Sequence, residues 1–162
     1  MAIALLAWVI AIPLLGGLTG LRSMTPIAVL CWFSWVGHLD VYGTWAAWTS
    51  HGVSVGIFTA LAVGELIGDK LPWIPARTSA FPLAARTCFG GLVGAIAATG
   101  LAGSALEGAL LGAISAIAGA FLGFHVRQWL VQENDCRDLW IALPEDLLTI
   151  GLSILAMGIV TG

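Results

Sequence analysis

The residues of this sequence best suited to chemistry are acids and arginines next to long apolar segments. Glu65 and Asp69 lie four residues apart, so a helix places both on one face. A carboxylate inside hydrocarbon costs at least about 2.5 kcal/mol, and it therefore needs a counter-charge, water or a proton. We predict that Glu65 binds a cation, carries a proton or forms an obligatory ion pair. Asp69 beside Lys70 equally fits the wet end of a helix.

Arg22 lies in the segment GLRSMTP, between Gly20 and Pro26. This segment predicts non-helical backbone at or near membrane depth, which is tolerated only where it is buried in protein or lines a cavity. The alternative role for Arg22 is a simple anchor at the membrane surface. The full set of predicted binding or transport residues is Arg22, Glu65, Asp69, Lys70, Arg86, His125, Arg127, Glu145 and Asp146.

The other members of this set have structural alternatives. Arg86 and Arg127 would hold an anionic group or neutralise the acids. His125 would titrate near neutral pH, or it would serve as a polar cap at the interface. Glu145 and Asp146 follow Pro144, where we expect a helix to begin, so both acids would also suit a helix N-terminus.

No catalytic or metal-binding pattern is present in the sequence. There is no HExxH segment, phosphate-binding loop or nucleophile elbow. The three cysteines are far apart, and His38, Asp40 and His51 are too sparse for a metal site. We therefore predict a protein that is not an enzyme and that uses no cofactor and no metal.

Small residues recur every fourth position in two apolar segments. Lipid tails are as apolar as leucine, so helices in a membrane associate through close contact of such small faces. We predict helix packing along both stripes, with a narrow pore lined by glycine as the alternative. The residues are Gly52, Gly56, Ala60, Gly64 and Gly68 in one segment and Gly108, Gly112 and Ala116 in the other.

The composition specifies a membrane protein. Hydrophobic residues make up 59% of the 162 residues and charged residues only 9%, whereas a soluble domain has roughly 25% charged residues. We predict an all-α, polytopic bundle forming one domain over 1–162. The second span is short enough to form a re-entrant hairpin with the first. The six predicted spans are 2–18, 24–37, 52–68, 84–101, 106–124 and 140–160.

The basic residues predict the topology. All six lie in alternate loops, which identifies those loops as cytoplasmic and places both termini outside the inner (plasma) membrane. Membrane lipids are then the surrounding partners, and the net charge of −3 argues against nucleic acid. Aligning 21–73 with 77–129 pairs Gly52 with Gly108 and Gly56 with Gly112. This indicates a weak parallel repeat of two spans.

Three segments, GLRSMTP, GELIGDKLPWIPARTSAFPLAAR and GFHVRQWL, resemble those of a bacterial membrane-protein family, domain of unknown function number 4126. Its members have a Gly-Leu-Arg opening, a Glu-x-x-x-Asp-Lys-x-Pro helix end and an arginine that begins the next span. The matching positions are Gly20, Leu21, Arg22, Glu65, Asp69, Lys70, Pro72 and Arg86. The segment between Pro72 and Arg86 departs from the family's form. The resemblance implies a multi-pass bacterial membrane protein and supplies no activity.

Two functions fit these patterns. The first is a small transporter or channel for an ion or a small polar or anionic solute, which uses charges at the inner ends of its helices. The second is a scaffold or lipid-binding protein whose charges form a structural network. In either case the small-residue stripes offer a surface for a homo-oligomer, with a dimer favoured.

Overall fold

A computed structural model describes residues 5–68, 80–134 and 138–162, with the side chains of 130–142 left out. The described residues form six α-helices and no strand, which confirms the predicted all-α class for this part of the chain. Asp69 and Lys70 lie outside the described residues. The helices are α1 (Ile12–Leu21, preceded by a π-helical turn at Ala7–Ala11), α2 (Thr25–Val36), α3 (Gly52–Gly68), α4 (Ala80–Gly100), α5 (Ala105–Asn134) and α6 (Asp138–Thr161).

Three of these helices contain a segment that is long and apolar enough to cross a membrane: Ala80–Gly100, Ala105–Trp129 and Leu143–Thr161. Their lengths and composition indicate a membrane protein. The segments Ala7–Leu21, Thr25–Val36 and Gly52–Gly68 are apolar but shorter. The number of spans, predicted as six, therefore stays a prediction, as do the topology and the repeat.

Helices α1 and α2 are separated by three residues, 22–24, which we call the helix break. Leu21 ends α1 because Arg22 adopts an extended backbone, with φ −137° and ψ 110°. Pro26 lies in the first turn of α2, where its missing N–H leaves no helical hydrogen bond unmade. Gly37 ends α2 with φ 84°, a left-handed conformation that favours glycine. Two short helices thus meet at this break. The Arg22 N–H still donates to the Leu18 carbonyl and the Met24 carbonyl accepts from the Ala28 N–H, so only part of the backbone of the break has helical partners.

The connections 37–51 and 101–104 lie together at one end of the bundle, which we call the loop face. The indole N–H of Trp45 donates to the Thr99 hydroxyl across 3.2 Å. A side chain at Gly100 would collide with Leu39. The first two helices therefore begin and end at the same face, because Trp8 also lies against Gly103. The helix break is the far tip of this α1–α2 hairpin.

Helix α5 lies in backbone contact with α1 and α4. A Cβ added at Gly108 would collide with the Gly94 carbonyl, and one added at Gly90 would lie 2.8 Å from the Gly112 carbonyl. On the side of α1, a Cβ at Gly16 would lie 2.5 Å from that same carbonyl. The stripe Gly108, Gly112 and Ala116 is thus the surface on which two other helices pack, as expected for small residues in membrane helices.

The stripe on α3 has different surroundings. Gly52, Gly56, Ala60 and Gly64 are exposed, and Gly68 is half-buried. A Cβ at Gly56 or Gly64 would meet nothing within 4 Å among the described residues. Gly56 and Gly64 therefore make no close helix contact within the described part of the chain, whereas a Cβ at Gly52 would lie 3.7 Å from the Trp35 indole nitrogen. A packing role for the stripe stays a prediction for contact between copies.

One predicted helix boundary is wrong. We expected a helix to begin at Pro144, but α6 begins at Asp138 and contains Pro144 in its interior. Glu145 and Asp146 are consequently not first-turn residues, so complementing the N-terminus of this helix does not explain them. Helix α5 continues to Asn134, beyond residue 124, at which the fifth span is predicted to end.

Candidate functional site

The helix break lies beside the middle of α5, not at its end. A Cβ at Gly20, next to the break, would collide with the Ala116 carbonyl and lie 2.6 Å from the amide nitrogen of Ala120. Helix α5 continues from Ala120 to Asn134, which is about 20 Å further at 1.5 Å per residue. Exposed backbone polar groups at this level need partners from the protein itself.

Arg22 occupies the break and is fully buried, with 0% of its side chain exposed. Its Nη2 donates to the Oδ1 of Asp146, which is buried on α6, and the two side chains form an ion pair. Nη1 donates a long hydrogen bond of 3.5 Å to the backbone oxygen of Glu65. A buried guanidinium needs such charge-assisted contacts because its desolvation costs several kcal/mol.

Glu65, on α3, satisfies the amino end of α2. Its Oε1 accepts from the backbone N–H of Ser23 and its Oε2 from that of Met24, each across 2.8 Å. These are donors that a helix N-terminus leaves without partners inside the helix. The negative carboxylate also complements the positive end of the helix dipole. Within the described residues, the hydrogen bonds of the Glu65 carboxylate are therefore made to backbone N–H groups.

Arg86, on α4, satisfies the carboxyl end of α1. Its Nη1 donates to the backbone oxygens of Gly20 and Leu21 across 2.6 and 2.8 Å. These carbonyls lie at the negative end of the α1 dipole, which a cation stabilises. Arg86 is only 6% exposed. The two ends of the break thus each receive a side chain of the complementary charge, from two different helices.

The four charges share one level of the bundle. Glu65 lies thirteen residues from Gly52, Arg86 fourteen from Gly100 and Asp146 fifteen from Thr161, about 20 Å along each helix from the loop face. Arg22 lies at the same level, at the tip of the α1–α2 hairpin. We call Arg22, Glu65, Arg86 and Asp146 the charge layer. Two cations and two carboxylates make its formal charge zero.

Hydroxyl groups extend the site toward the loop face. Asp146, Thr149 and Ser153 lie on the buried face of α6, and Thr149 donates to the Glu145 carbonyl across 2.8 Å. The hydroxyl of Ser153 has no hydrogen-bond partner among the described residues. The same holds for the hydroxyl of Thr25, the first residue of α2, which is 4% exposed. A buried polar group without a partner is rare and suggests an occupant.

The remaining predicted residues lie away from this layer or beside it. His125 is exposed, and its Nδ1 lies 2.7 Å from the Phe121 carbonyl of its own helix. Arg127 is half-buried on α5, about 16 Å along the helix past Ala116. Glu145 is half-buried beside Asp146. The described residues contain no group of three or more potential metal ligands.

No family model, curated protein or solved structure matches this chain. The resemblance to family number 4126 therefore stays a prediction. What the protein does has to be inferred from the charge layer and the helices that carry it.

Sequence reasoning found all four members of the charge layer but not their partners. For Glu65 the predictions were a bound cation, a carried proton or an obligatory ion pair, and the backbone amides of Ser23 and Met24 were not foreseen as its partners. The break at Arg22 was predicted, but its capping by side chains of two other helices was not. Thr25 and Ser153 were missed, since a lone hydroxyl in an apolar run carries no distinguishing sequence signal.

The cap supplied by Arg86 can be tested by stability. We expect Arg86→Met to lower the free energy of unfolding by about 1.5–3 kcal/mol, because it leaves two buried carbonyls of α1 without a charged donor. Arg86→Lys keeps a cation with three donors and should lose less. Thermal unfolding of the purified protein in detergent measures both. Equal losses in the two variants would show that the charge at this position does not act as a cap.

Proposed function

We propose that this chain is a small membrane transport protein or channel, in which an ion or a small polar solute passes the charge layer. The observation that carries the proposal is the helix break, whose backbone ends are capped by charged side chains from two other helices. Irregular backbone of this kind occurs at membrane depth only where protein or a cavity surrounds it. In transporters, the ends of interrupted helices are where solutes and coupling ions bind.

The placement of the charges supports the same proposal. A hydrocarbon core is about 30 Å thick, so a layer about 20 Å from the loop face lies inside it. Ionisable groups at such depth are expensive, and they commonly mark ion and solute pathways. In this placement the end of α5 that carries Arg127 faces the cytoplasm. This is the side on which the basic residues are predicted to lie.

Passage requires part of the layer to move, and α3 is the helix best placed to do so. Only Val55 and Ala62 of α3 are buried. Near the charge layer its described polar contacts are the Glu65 cap and the long hydrogen bond from Arg22 to the Glu65 backbone oxygen. Nearer the loop face, the Trp32 indole donates to the Thr59 hydroxyl and the Ser54 hydroxyl donates to the Trp48 carbonyl. Displacement of α3 would uncap α2 while leaving the tightly packed α1, α4 and α5 in place. Glu65 is then the gating residue, and Arg22 and Asp146 form the fixed part of the path.

A scaffold or lipid-binding function is the second candidate. It is favoured by the Arg22–Asp146 pair, which is buried and has no net charge, as expected for an ion pair with a structural role. In this case the charges hold the hairpin in position, and the surface that contacts lipids carries the function.

Flux through proteoliposomes separates the two candidates. We expect the purified protein to conduct at least one probe among protons, followed with a pH dye, and radiolabelled rubidium, chloride or acetate. Glu65→Gln and Arg22→Ala should each reduce that flux roughly tenfold or more, since one charge-assisted contact is worth about 1.5–3 kcal/mol. The matched control is Glu107→Gln, an exposed acid near the loop face, which should keep the flux.

The outcomes are distinct. Flux that survives Glu65→Gln and Arg22→Ala undiminished would exclude the charge layer as the path. Absence of flux for every probe, together with a loss of thermal stability in both variants, would establish the scaffold function instead.

A further inference from the structure

Ser153 lies inside the bundle, 0% exposed, with a hydroxyl that has no hydrogen-bond partner among the described residues. Burying a hydroxyl without a partner is costly. Buried side-chain polar atoms are therefore in large majority hydrogen-bonded, either to protein or to an ordered water. The Ser153 hydroxyl thus indicates a bound polar molecule at this point of the bundle.

The threonines within the helices show the more usual arrangement. Their hydroxyls donate to the carbonyl four residues earlier, across 2.8–2.9 Å, in Thr19, Thr87, Thr99, Thr149 and Thr161. A serine in a helix can make the same bond. The hydroxyl of Ser153 does not make it, although the carbonyl of Thr149 lies four residues earlier. Its hydrogen-bonding capacity therefore remains available to a molecule outside its own helix.

The position of Ser153 on α6 determines what it faces. Asp146 lies seven residues earlier, which is almost two full turns, so both side chains lie on one face of the helix. Asp146 pairs with Arg22 at the tip of the α1–α2 hairpin, and α6 packs against both helices of this hairpin. Ser153 therefore faces the hairpin, about 10 Å nearer the loop face than the charge layer.

This part of the interface between α6 and the hairpin has a closure on either side. Toward the charge layer lies the Arg22–Asp146 ion pair. Toward the loop face, α6 buries apolar side chains in the core of the bundle, namely those of Ala156, Met157 and Val160. Between the two closures, the buried face of α6 carries the hydroxyl groups of Thr149 and Ser153.

We propose that the interface between α6 and the hairpin holds water from Asp146 to Ser153. This water forms the part of the path that lies between the charge layer and the loop face. The inference rests on the proposed function and assigns Ser153 to its path. Helices α1 and α2, and α6 beyond Asp146, contain no charged residue, so a bare ion would lack a counter-charge here. Water needs none, and it both donates to and accepts from a hydroxyl.

The reactivity of an introduced cysteine tests whether this interface holds water. Ser153→Cys is made in a protein whose native cysteines are replaced by alanine, and it is treated in proteoliposomes with a small methanethiosulfonate reagent. Only a thiolate reacts, and a thiol in dry apolar surroundings stays protonated. We therefore expect the thiol at position 153 to be modified about tenfold faster, or more, than a thiol in a dry contact.

Two positions on the same helix provide matched controls. Ala156→Cys places the thiol one turn nearer the loop face, at a position that is 0% exposed and belongs to the apolar core. Ile154→Cys places it on the outer surface of α6, where Ile154 is 49% exposed and would contact lipid. Both thiols should react slowly. A rate at Ser153→Cys no faster than at these two positions would overturn the inference.

Thermal unfolding in detergent gives a second measurement, which needs no cysteine replacement. If Ser153 binds water, Ser153→Ala loses that hydrogen bond and should lower the unfolding temperature by about 2–4 °C. If the hydroxyl has no partner, alanine removes a costly buried group and the unfolding temperature should rise. An unchanged or higher unfolding temperature would therefore contradict the inference.

The result is separable from the proposed function. Fast modification of Ser153→Cys in a protein that conducts no probe would refute transport and leave the hydrated interface standing. Flux through the wild-type protein, together with slow modification of Ser153→Cys, would retain transport and exclude this interface from its path.

Discussion

Removing either charge of the Arg22–Asp146 pair is expected to lower the free energy of unfolding by about 3–5 kcal/mol. Both side chains are buried, at 0% and 10% exposure, so the surviving partner cannot regain water in the folded state. We therefore expect Arg22→Met and Asp146→Asn to be among the most destabilising single substitutions in this chain. Because folded domains are typically stable by only about 5–15 kcal/mol, either change would remove a large fraction of the stability.

A double-mutant cycle tests this directly. Arg22→Met and Asp146→Leu, made singly and together, should be strongly non-additive, because the double variant buries no unpaired charge and loses less than the sum of the single losses. Chemical unfolding in detergent is the measurement. Asp40→Asn, at an exposed position on the loop face, is the control and should change stability by less than about 0.5 kcal/mol. Additive losses in the cycle would mean that the two side chains do not depend on each other.

The second large effect is expected at Gly112, where α1 and α4 both touch α5. A Cβ there would collide with the Gly90 carbonyl and lie 3.1 Å from the Cα of Gly94. The three atoms nearest to this Cβ all belong to the backbone, so these neighbours cannot yield by rotating a side chain. We expect Gly112→Ala to destabilise by about 1–3 kcal/mol, as overpacking does, and Gly112→Leu to prevent assembly of the bundle.

Gly56 provides the matched control, because it occupies the corresponding place in the stripe of α3 and has nothing within 4 Å of an added Cβ among the described residues. Gly56→Ala should be neutral or stabilising by up to about 1 kcal/mol, since alanine is the better helix former. The comparison is made by thermal unfolding in detergent. A loss at Gly56 as large as that at Gly112 would indicate contact between copies through the exposed stripe.

The sequence was sufficient to identify the class of protein and the expensive charges. An excess of apolar residues leaves no surface for water, and any carboxylate or guanidinium deep in such a chain requires a partner. Glu65 was singled out on this ground, Arg22 because of the break in which it lies, and Asp146 as one of the two acids that follow Pro144. The pairing was not predictable, because the ion pair joins positions that are 124 residues apart. Spacing within one helix contains no information about which other helix lies opposite.

The two small-residue stripes show the same limit in another form. Their spacing is alike, yet Gly108 and Gly112 lie against other helices while Gly56 and Gly64 are exposed. A stripe of small residues allows another helix to approach closely. Whether a helix does so depends on the arrangement of the whole bundle. The prediction that a helix begins at Pro144 is wrong for a related reason. Proline is favoured in the first turn of a helix, but α6 contains Pro144 in its interior.

The helix break also constrains how the protein is made. The groups that satisfy its backbone come from residues 65 and 86, and the counter-ion of Arg22 comes from residue 146, all synthesised later than the hairpin itself. In lipid, unsatisfied backbone groups cost several kcal/mol each. For the membrane placement that we propose, we expect the hairpin to reach its final depth only after most of the chain has been delivered to the membrane.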